Sequence, residues 1–168
     1  MLFGSLDQAV LEFFIALRRP VITQFLVGLS MLTTPACYIA YGVVLTLWSK
    51  GETWLVPTIS IVTAVVSTNL KRICGVERPD LMWQVVAEHN GSFPSSHTSA
   101  AVAFACAVLL VCGFRWAVPL FVLAAIVAVA RLYLGVHWLS DICGGIAVGV
   151  GCAVFVYHIH RLVTTVRD

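Results

Sequence analysis

The chain has 168 residues, of which 60% are apolar and 11% charged, with 10 Lys or Arg against 8 Asp or Glu. A soluble domain carries about 25% charged residues to cover its surface, so this composition excludes a water-soluble globule. The basic residues form no run that would track nucleic acid, and each bilayer crossing needs roughly 20 mostly apolar helical residues, so the length predicts one all-α bundle over 1–168 with roughly five or six spans.

Residues 1–33 read as an N-terminal interfacial arm. Within it, LDQAVLEFFIALR (6–18) puts Leu6, Val10, Phe13, Phe14 and Leu17 on one helical face, with Asp7, Gln8, Glu12 and Arg18 elsewhere, the pattern of an amphipathic helix at the membrane surface. The opening MLFGSLDQAVLEFF has neither the basic region nor the cleavage site of a secretory signal, so the spans are expected to drive insertion. VITQFLVGLSMLTT, after Arg18-Arg19-Pro20, is short for a crossing, whereas ACYIAYGVVLTLW (36–48) with its flank can cross. Trp48 to Trp54 is a polar turn between interfacial tryptophans, and 55–70 is the next span, ending in Lys71-Arg72.

Residues 71–94 are the longest polar stretch. An apolar helix is predicted from Ser95 to about Cys112, a turn at 113–116, a return over 117–130 until Arg131 interrupts it, a second polar loop over 132–141, and a last span over 142–157. The last span carries Gly145-x3-Gly149, a spacing that lets helices approach closely. The six cysteines (Cys37, Cys74, Cys106, Cys112, Cys143, Cys152) show no CxxC and no pairing rhythm and read as small buried hydrophobes.

Each span moves the chain across the bilayer, so loops 71–94 and 131–141, separated by two spans, emerge on the same face. The turns at 49–53 and 113–116 and the C-terminal tail lie on the other, where Lys50, Arg115, Arg161 and Arg167 mark the cytoplasm. Lys71, Arg72, Arg78 and Arg131 crowd the opposite face against that rule, which suggests a use other than topology; a reversed orientation is the alternative.

Three clusters converge on that face: Lys71-x6-Arg78-Pro79, Phe93-Pro94-Ser95-Ser96-His97-Thr98, and Arg131-x5-His137-x3-Asp141. Ionisable groups at a membrane boundary are costly unless paired or in use. Guanidinium forks match phosphate oxygens and lysine adds a compact charge, so Lys71, Arg78 and Arg131 suit a dianion. Ser95, with Ser96 after it, begins a helix just past Pro94, where hydroxyl and free N–H groups can face the same anion. One imidazole can attack phosphorus while another protonates the departing alkoxide, and Asp141, four residues past His137, can fix its tautomer. This favours His137 as nucleophile and His97 as general acid. Phosphoryl transfer needs mainly positioning and charge stabilisation, so neither metal nor other cofactor is called for. Taken singly, a cation at a span end is a snorkelling anchor, His-x3-Asp a local hydrogen bond and PSSH a helix start; together, in order and on one face, they are hard to obtain by chance.

The three clusters resemble the type 2 phosphatidic acid phosphatase (PAP2) family, which shares its fold and site with vanadium haloperoxidases. The family pattern is Lys-x6-Arg-Pro, Pro-Ser-Gly-His, and Ser-Arg-x5-His-x3-Asp, and the likeness runs from about residue 55 onward. The resemblance implies a membrane lipid phosphatase in which Lys71, Arg78, Ser95 and Arg131 bind the phosphate, His97 is the acid, His137 forms a phosphohistidine and Asp141 orients it. Ser96 stands where the family has glycine, and Ala130 where it has serine. The stretch Arg131 to Gly145 is similar to bacterial phosphatidylglycerophosphate phosphatases of the B type.

The expected substrate is therefore a lipid phosphate, with phosphatidylglycerophosphate, phosphatidic acid and polyprenyl (di)phosphate as candidates; no nucleic acid is expected and the oligomeric state stays open. Loop 80–92 is expected to shape the entrance, with Met82 and Trp83 toward acyl chains and Glu88 or His89 toward head groups, or else to be an interfacial loop with no selective role. His158 and His160 lack a third ligand and read as interfacial. The rivals are vanadate-dependent oxidation, whose known enzymes are soluble, and a non-enzymatic lipid-phosphate binder or transporter.

Overall fold

The computed structural model describes residues 3–51 and 53–166, which hold seven α-helices and no strand; Glu52 and Arg167 lie outside the described residues. Prolines open α2 (Pro20–Leu32) and α3 (Pro35–Trp48), where the absent N–H is no loss. Thr34 caps α3 by accepting the Cys37 N–H at 3.2 Å. α4 (Leu55–Cys74) stops where Gly75 takes φ 55°, and α5 (Ser96–Cys112) where Gly113 takes φ 91°, conformations that cost glycine no Cβ clash. α1 (Ser5–Ala16), α6 (Phe114–Tyr133) and α7 (Leu139–Thr165) complete the set.

α5 is the hub, packed against α4, α6 and α7. Its buried face is built on Ala100, Ala101, Ala103, Ala105 and Ala107, small enough to admit its neighbours closely. On α7, a Cβ at Gly145 would lie 2.9 Å from the Ser95 carbonyl and one at Gly149 2.7 Å from that of Ser99. Ascending positions on α7 thus meet ascending positions on α5, so the two run parallel with their N-termini together. Lys71, in the last turn of α4, reaches the Gly91 carbonyl near the start of α5, and Arg131 lies in the last turn of α6. Four helix ends therefore meet in one place, and the sequence clusters sit on them.

Large apolar side chains such as Val65, Val122, Phe155 and Ile159 are exposed on the outside, as expected where lipid replaces water. By length and composition α6 and α7 can each cross a bilayer, and α2 with α3, bent by 57°, can form a third crossing. α5 is apolar but has 17 residues. α4 has 20 and carries Ser60 and Thr63, whose hydroxyls bond the carbonyls of Val56 and Ile59 and so bring no unpaired polar group into the bundle.

Several expectations are corrected. Asp7 is not on a watery face: it is buried along with Leu11, while Leu6, Phe13 and Leu17 are exposed. In a membrane protein the apolar stripe can face lipid and the polar residue can face protein, which reverses the soluble reading. α4 runs on through Lys71, held by the Gly91 carbonyl, and the exposed Arg72, and α6 runs through Arg131 without interruption, because Glu88 neutralises that buried charge. The stretch 132–141 is no polar loop: α6 ends at Tyr133, α7 begins at Leu139, and residues 134–138 between them are buried. Of the cysteines only Cys152 is buried; Cys74 and Cys143 are exposed and the other three half-buried.

Candidate active site

His137 lies in the short α6–α7 turn, just before Trp138, the extended residue that caps the start of α7. It is not helical, so its approach to Asp141 comes from the turn: Asp141 Oδ2 accepts the Trp138 N–H at 2.8 Å and stands 3.1 Å from His137 Nδ1. The Ser92 hydroxyl donates to the same oxygen and lies 3.4 Å from Nδ1. The other ring nitrogen, Nε2, is 3.2 Å from Nη1 of Arg78. A guanidinium only donates, so Nε2 is the acceptor and the ring proton is on Nδ1, facing the carboxylate. Burial, and after it the charges of Arg78, Arg131 and Lys71, hold the imidazole well below the usual histidine range, so at neutral pH Nε2 offers a lone pair.

Backbone oxygens fix two of the three cations. Lys71 Nζ donates to the carbonyls of Gly91 at 2.6 Å and Ser92 at 3.1 Å. Arg78 donates from Nε to Asn90 O at 2.8 Å, from Nη1 to Val136 O at 2.6 Å and from Nη2 to Asn90 Oδ1 at 2.6 Å. Gly91 is required here, since a Cβ would lie 2.8 Å from the Lys71 carbonyl. Arg131 donates to the Ser30 hydroxyl and, at 2.6 Å, to Glu88 Oε1, while its buried Nε has no partner among the described residues. A buried guanidinium N–H without an acceptor is uncommon unless a ligand supplies one.

Ser95 is fully buried at the start of α5, with its N–H on the Asp141 carbonyl at 3.0 Å and its hydroxyl accepting from Thr98 at 3.1 Å. Ser96 and His97 follow in the first turn, whose N–H groups have no partner within the helix. His97 lies beside the Ser30 backbone and within electrostatic range of Arg131, Glu88 and Arg78.

All eight sequence-picked residues thus belong to one assembly at one end of the bundle. Of the loop residues, Glu88 is drawn inside, whereas Leu81, Met82 and His89 are exposed. His160 packs edge-on against Trp54 at 5.0 Å, and no cluster of three metal-binding side chains occurs among the described residues. Sequence reasoning missed Ser92, Ser30 and Asp7. Ser92 adjoins the Pro-Ser-Ser-His run and could have been suspected; Ser30 and Asp7 come from helices with no motif. Asp7 accepts the Ser140 N–H and hydroxyl, each at 2.9 Å, which ties α1 to the first turn of α7 beside His137.

The arrangement offers a basic nitrogen, a carboxylate behind it and cations in front of it. Such a set can attack an electron-poor phosphorus and stabilise charge gathering on its oxygens.

Over 98% of its length the chain is 28% identical to the lipid A 4'-phosphatase of Bacteroides thetaiotaomicron, covering 82% of that protein. Over 38% of its length it is 46% identical to Escherichia coli YbjG, which bears the provisional name of an undecaprenyl-diphosphatase; that match spans only 32% of YbjG. The crystal structure of a transmembrane PAP2-type phosphatidylglycerolphosphate phosphatase from Bacillus subtilis superposes with a TM-score of 0.80 at 22% identity, covering 95% of this chain and 86% of that one. Residues 52–164, which carry every cluster of the site, match the model of the PAP2 superfamily, and the chain belongs to that family.

Proposed function

We propose that the chain is one PAP2 domain acting as a bacterial inner-membrane lipid phosphatase that works through a phosphohistidine on His137, with its site on the extracytoplasmic side. The observation that carries this reading is the His137 ring: Nδ1–H rests on Asp141 while Nε2 meets the Arg78 guanidinium, so the lone pair points where a phosphate bound by Arg78 would sit.

Lys71, Arg78, Arg131, Ser95 and the N–H groups from Ser96 onward hold the phosphate oxygens. Nε2 attacks phosphorus, an N–P bond forms, and the bond to the lipid oxygen breaks. His97 gives that oxygen its proton, so the lipid leaves as an alcohol or, from a diphosphate, as the monophosphate. His97 then takes a proton from water, the hydroxide attacks phosphorus, and the N–P bond returns its electrons to Nε2 as orthophosphate departs. Asp141 holds the ring and stabilises its positive charge at both stages. Three side-chain cations supply the charge neutralisation, and a divalent ion in the cradle would be repelled by them.

The site reads the phosphate, which the lipids named for the three similar proteins share. This supports a lipid phosphate as substrate, with phosphatidylglycerophosphate, phosphatidic acid and undecaprenyl diphosphate the ones to test. The positive residues Lys50, Arg115 and Arg161 at the other end support the orientation. Detergent-solubilised protein should release orthophosphate from at least one of the three lipids, resist EDTA, and be inhibited by vanadate. It should also trap an acid-labile, alkali-stable phosphoenzyme that His137→Ala cannot form. A lipid-phosphate binder would release nothing, and strong EDTA inhibition would overturn the metal-free route.

A further inference from the structure

Glu88 holds a place that the proposed reaction leaves unused. Its carboxylate lies between the two guanidiniums of the cradle, with Oε1 at 2.6 Å from Arg131 Nη2 and Oε2 at 3.7 Å from Arg78 Nη2. Two oxygens on two guanidiniums is what a bound phosphate would present, so the carboxylate stands in for the anion. We propose that Glu88 is an internal competitor for the phosphate: it occupies Arg78 and Arg131 between turnovers, must swing out for substrate to bind, and so keeps the monoanionic phosphodiesters of bulk membrane lipid out of the site.

The surroundings fit a side chain that moves while the rest stays. Backbone bonds fix the loop up to Glu88: its N–H is held by Gln84 Oε1 at 3.0 Å, Gln84 Nε2 by Pro79 O at 2.8 Å, and the Val85 N–H by Leu134 O at 3.0 Å. Arg78 keeps its bonds to Asn90 and Val136 when Glu88 leaves, and Arg131 keeps Ser30. The Glu88 side chain is 24% exposed, against 2% for Arg131, so the carboxylate is the partner that can reach water. Burial alone would raise its pKa, but Arg131 and Arg78 more than offset this and hold it below the usual carboxylate range, so it is ionised at neutral pH.

The consequence is a threshold. Every anion that enters must displace one negative charge. A phosphodiester brings one charge and gains nothing in charge over the resident carboxylate, while a terminal phosphate brings two and does. Bulk phospholipids outnumber substrate in the membrane, so a cradle without this competitor would be filled by them. The same carboxylate, returning to the guanidiniums, helps orthophosphate leave.

This inference rests on the phosphate-binding reading of the cradle, and its test is separate from turnover. Calorimetric titration of the detergent-solubilised protein with orthophosphate and with dimethyl phosphate, a monoanion, compares the parent with Glu88→Gln and Glu88→Asp. The Gln variant should bind both probes about tenfold more tightly or better, since one charge at this range is worth at least that factor. The Asp variant, which keeps the charge but reaches less far, should gain less. In mixed micelles, phosphatidylglycerol should inhibit the Gln variant and leave the parent little affected. Affinities within about twofold of the parent would overturn the proposal. So would weaker binding in both variants, which would mean that Glu88 organises the guanidiniums. Failure of the parent to release phosphate from any lipid would sink the phosphatase reading and leave the binding comparison standing.

Discussion

Arg78 Nη1 stands 3.2 Å from His137 Nε2, and because a guanidinium has no lone pair, this contact fixes which ring nitrogen of His137 carries the proton. The buried ring is also held well below the ordinary histidine pKa, by burial first and by Arg78 next. Histidine-selective 15N spectra should therefore show the His137 imidazole in the Nδ1–H tautomer and still neutral at a pH where a free histidine is protonated. The sign for stability follows. Below pH 6.5 the unfolded chain takes up a proton that folded His137 refuses, so stability falls as pH drops; the depressed Glu88 acts in the same direction at lower pH. A His137 signal titrating near 6.5 would remove the argument for a ready nucleophile.

Asp141 accepts from Trp138, Ser92 and His137 through one oxygen. Asp141→Asn keeps the shape but puts an amide where the ring proton points, and kcat should drop by up to about 10⁴, the loss that follows when a catalytic histidine loses its orienting carboxylate. Ser92→Ala removes one of three donors and should cost about tenfold. Measuring kcat for both, with His137→Ala as the floor, orders them; a Ser92→Ala loss as large as that of Asp141→Asn would mean that Ser92 acts on substrate itself.

How much of this was legible depended on where the signal lay. Lys71, Arg78, Ser95, His97, Arg131, His137 and Asp141 were found because charge at a membrane boundary is expensive and these charges recur at fixed spacings. Their helical context was misread. Arg131 looked like a helix breaker because its partners, the Ser30 hydroxyl and the neutralising Glu88 carboxylate, lie 101 and 43 positions away in the chain. Asp7 looked solvated because helical periodicity sorts polar from apolar without saying which face meets lipid. Glu88 was noticed only as a head-group candidate, since a lone acid in a loop carries no spacing rule.

Cys74 lies exposed at the end of α4 that carries Lys71, at the end of the bundle where the site is built. With the other five cysteines replaced by alanine, a membrane-impermeant maleimide should label Cys74 in intact cells stripped of outer barriers. Cysteine introduced at Lys50 should label only after the membrane is opened. The opposite pattern would place the site in the cytoplasm.

Asp7 is fully buried, and its two carboxylate oxygens accept from the Ser140 N–H, the Ser140 hydroxyl and the Phe3 N–H, at 2.9, 2.9 and 3.0 Å. An asparagine there must turn an N–H₂ group toward at least one donor, so Asp7→Asn should cost about 1–3 kcal/mol. For a chain of this size that is a Tm lower by roughly 2–12 °C in a fixed detergent. Because Ser140 immediately precedes Asp141, kcat should fall with it; an unchanged Tm would show that α1 is not tied to α7 through this carboxylate.

The glycines of α7 are not equivalent. A Cβ at Gly149 meets the Ser99 carbonyl at 2.7 Å and Val102 Cβ at 2.9 Å, and one at Gly145 meets the Ser95 carbonyl at 2.9 Å, whereas one at Gly151 meets nothing within 4 Å. Backbone cannot give way as a flexible side chain would, so Gly149→Ala should destabilise by about 1–3 kcal/mol. Gly151→Ala, free of contact, should stabilise by up to about 1 kcal/mol through helix propensity. Gly145→Ala pushes on Ser95, the residue just before α5 in the phosphate cradle, so its loss of kcat/KM should exceed what its Tm change accounts for. Thermal unfolding and kinetics on the three variants separate these effects, and equal behaviour at 149 and 151 would contradict the close α5–α7 approach on which the whole site is assembled.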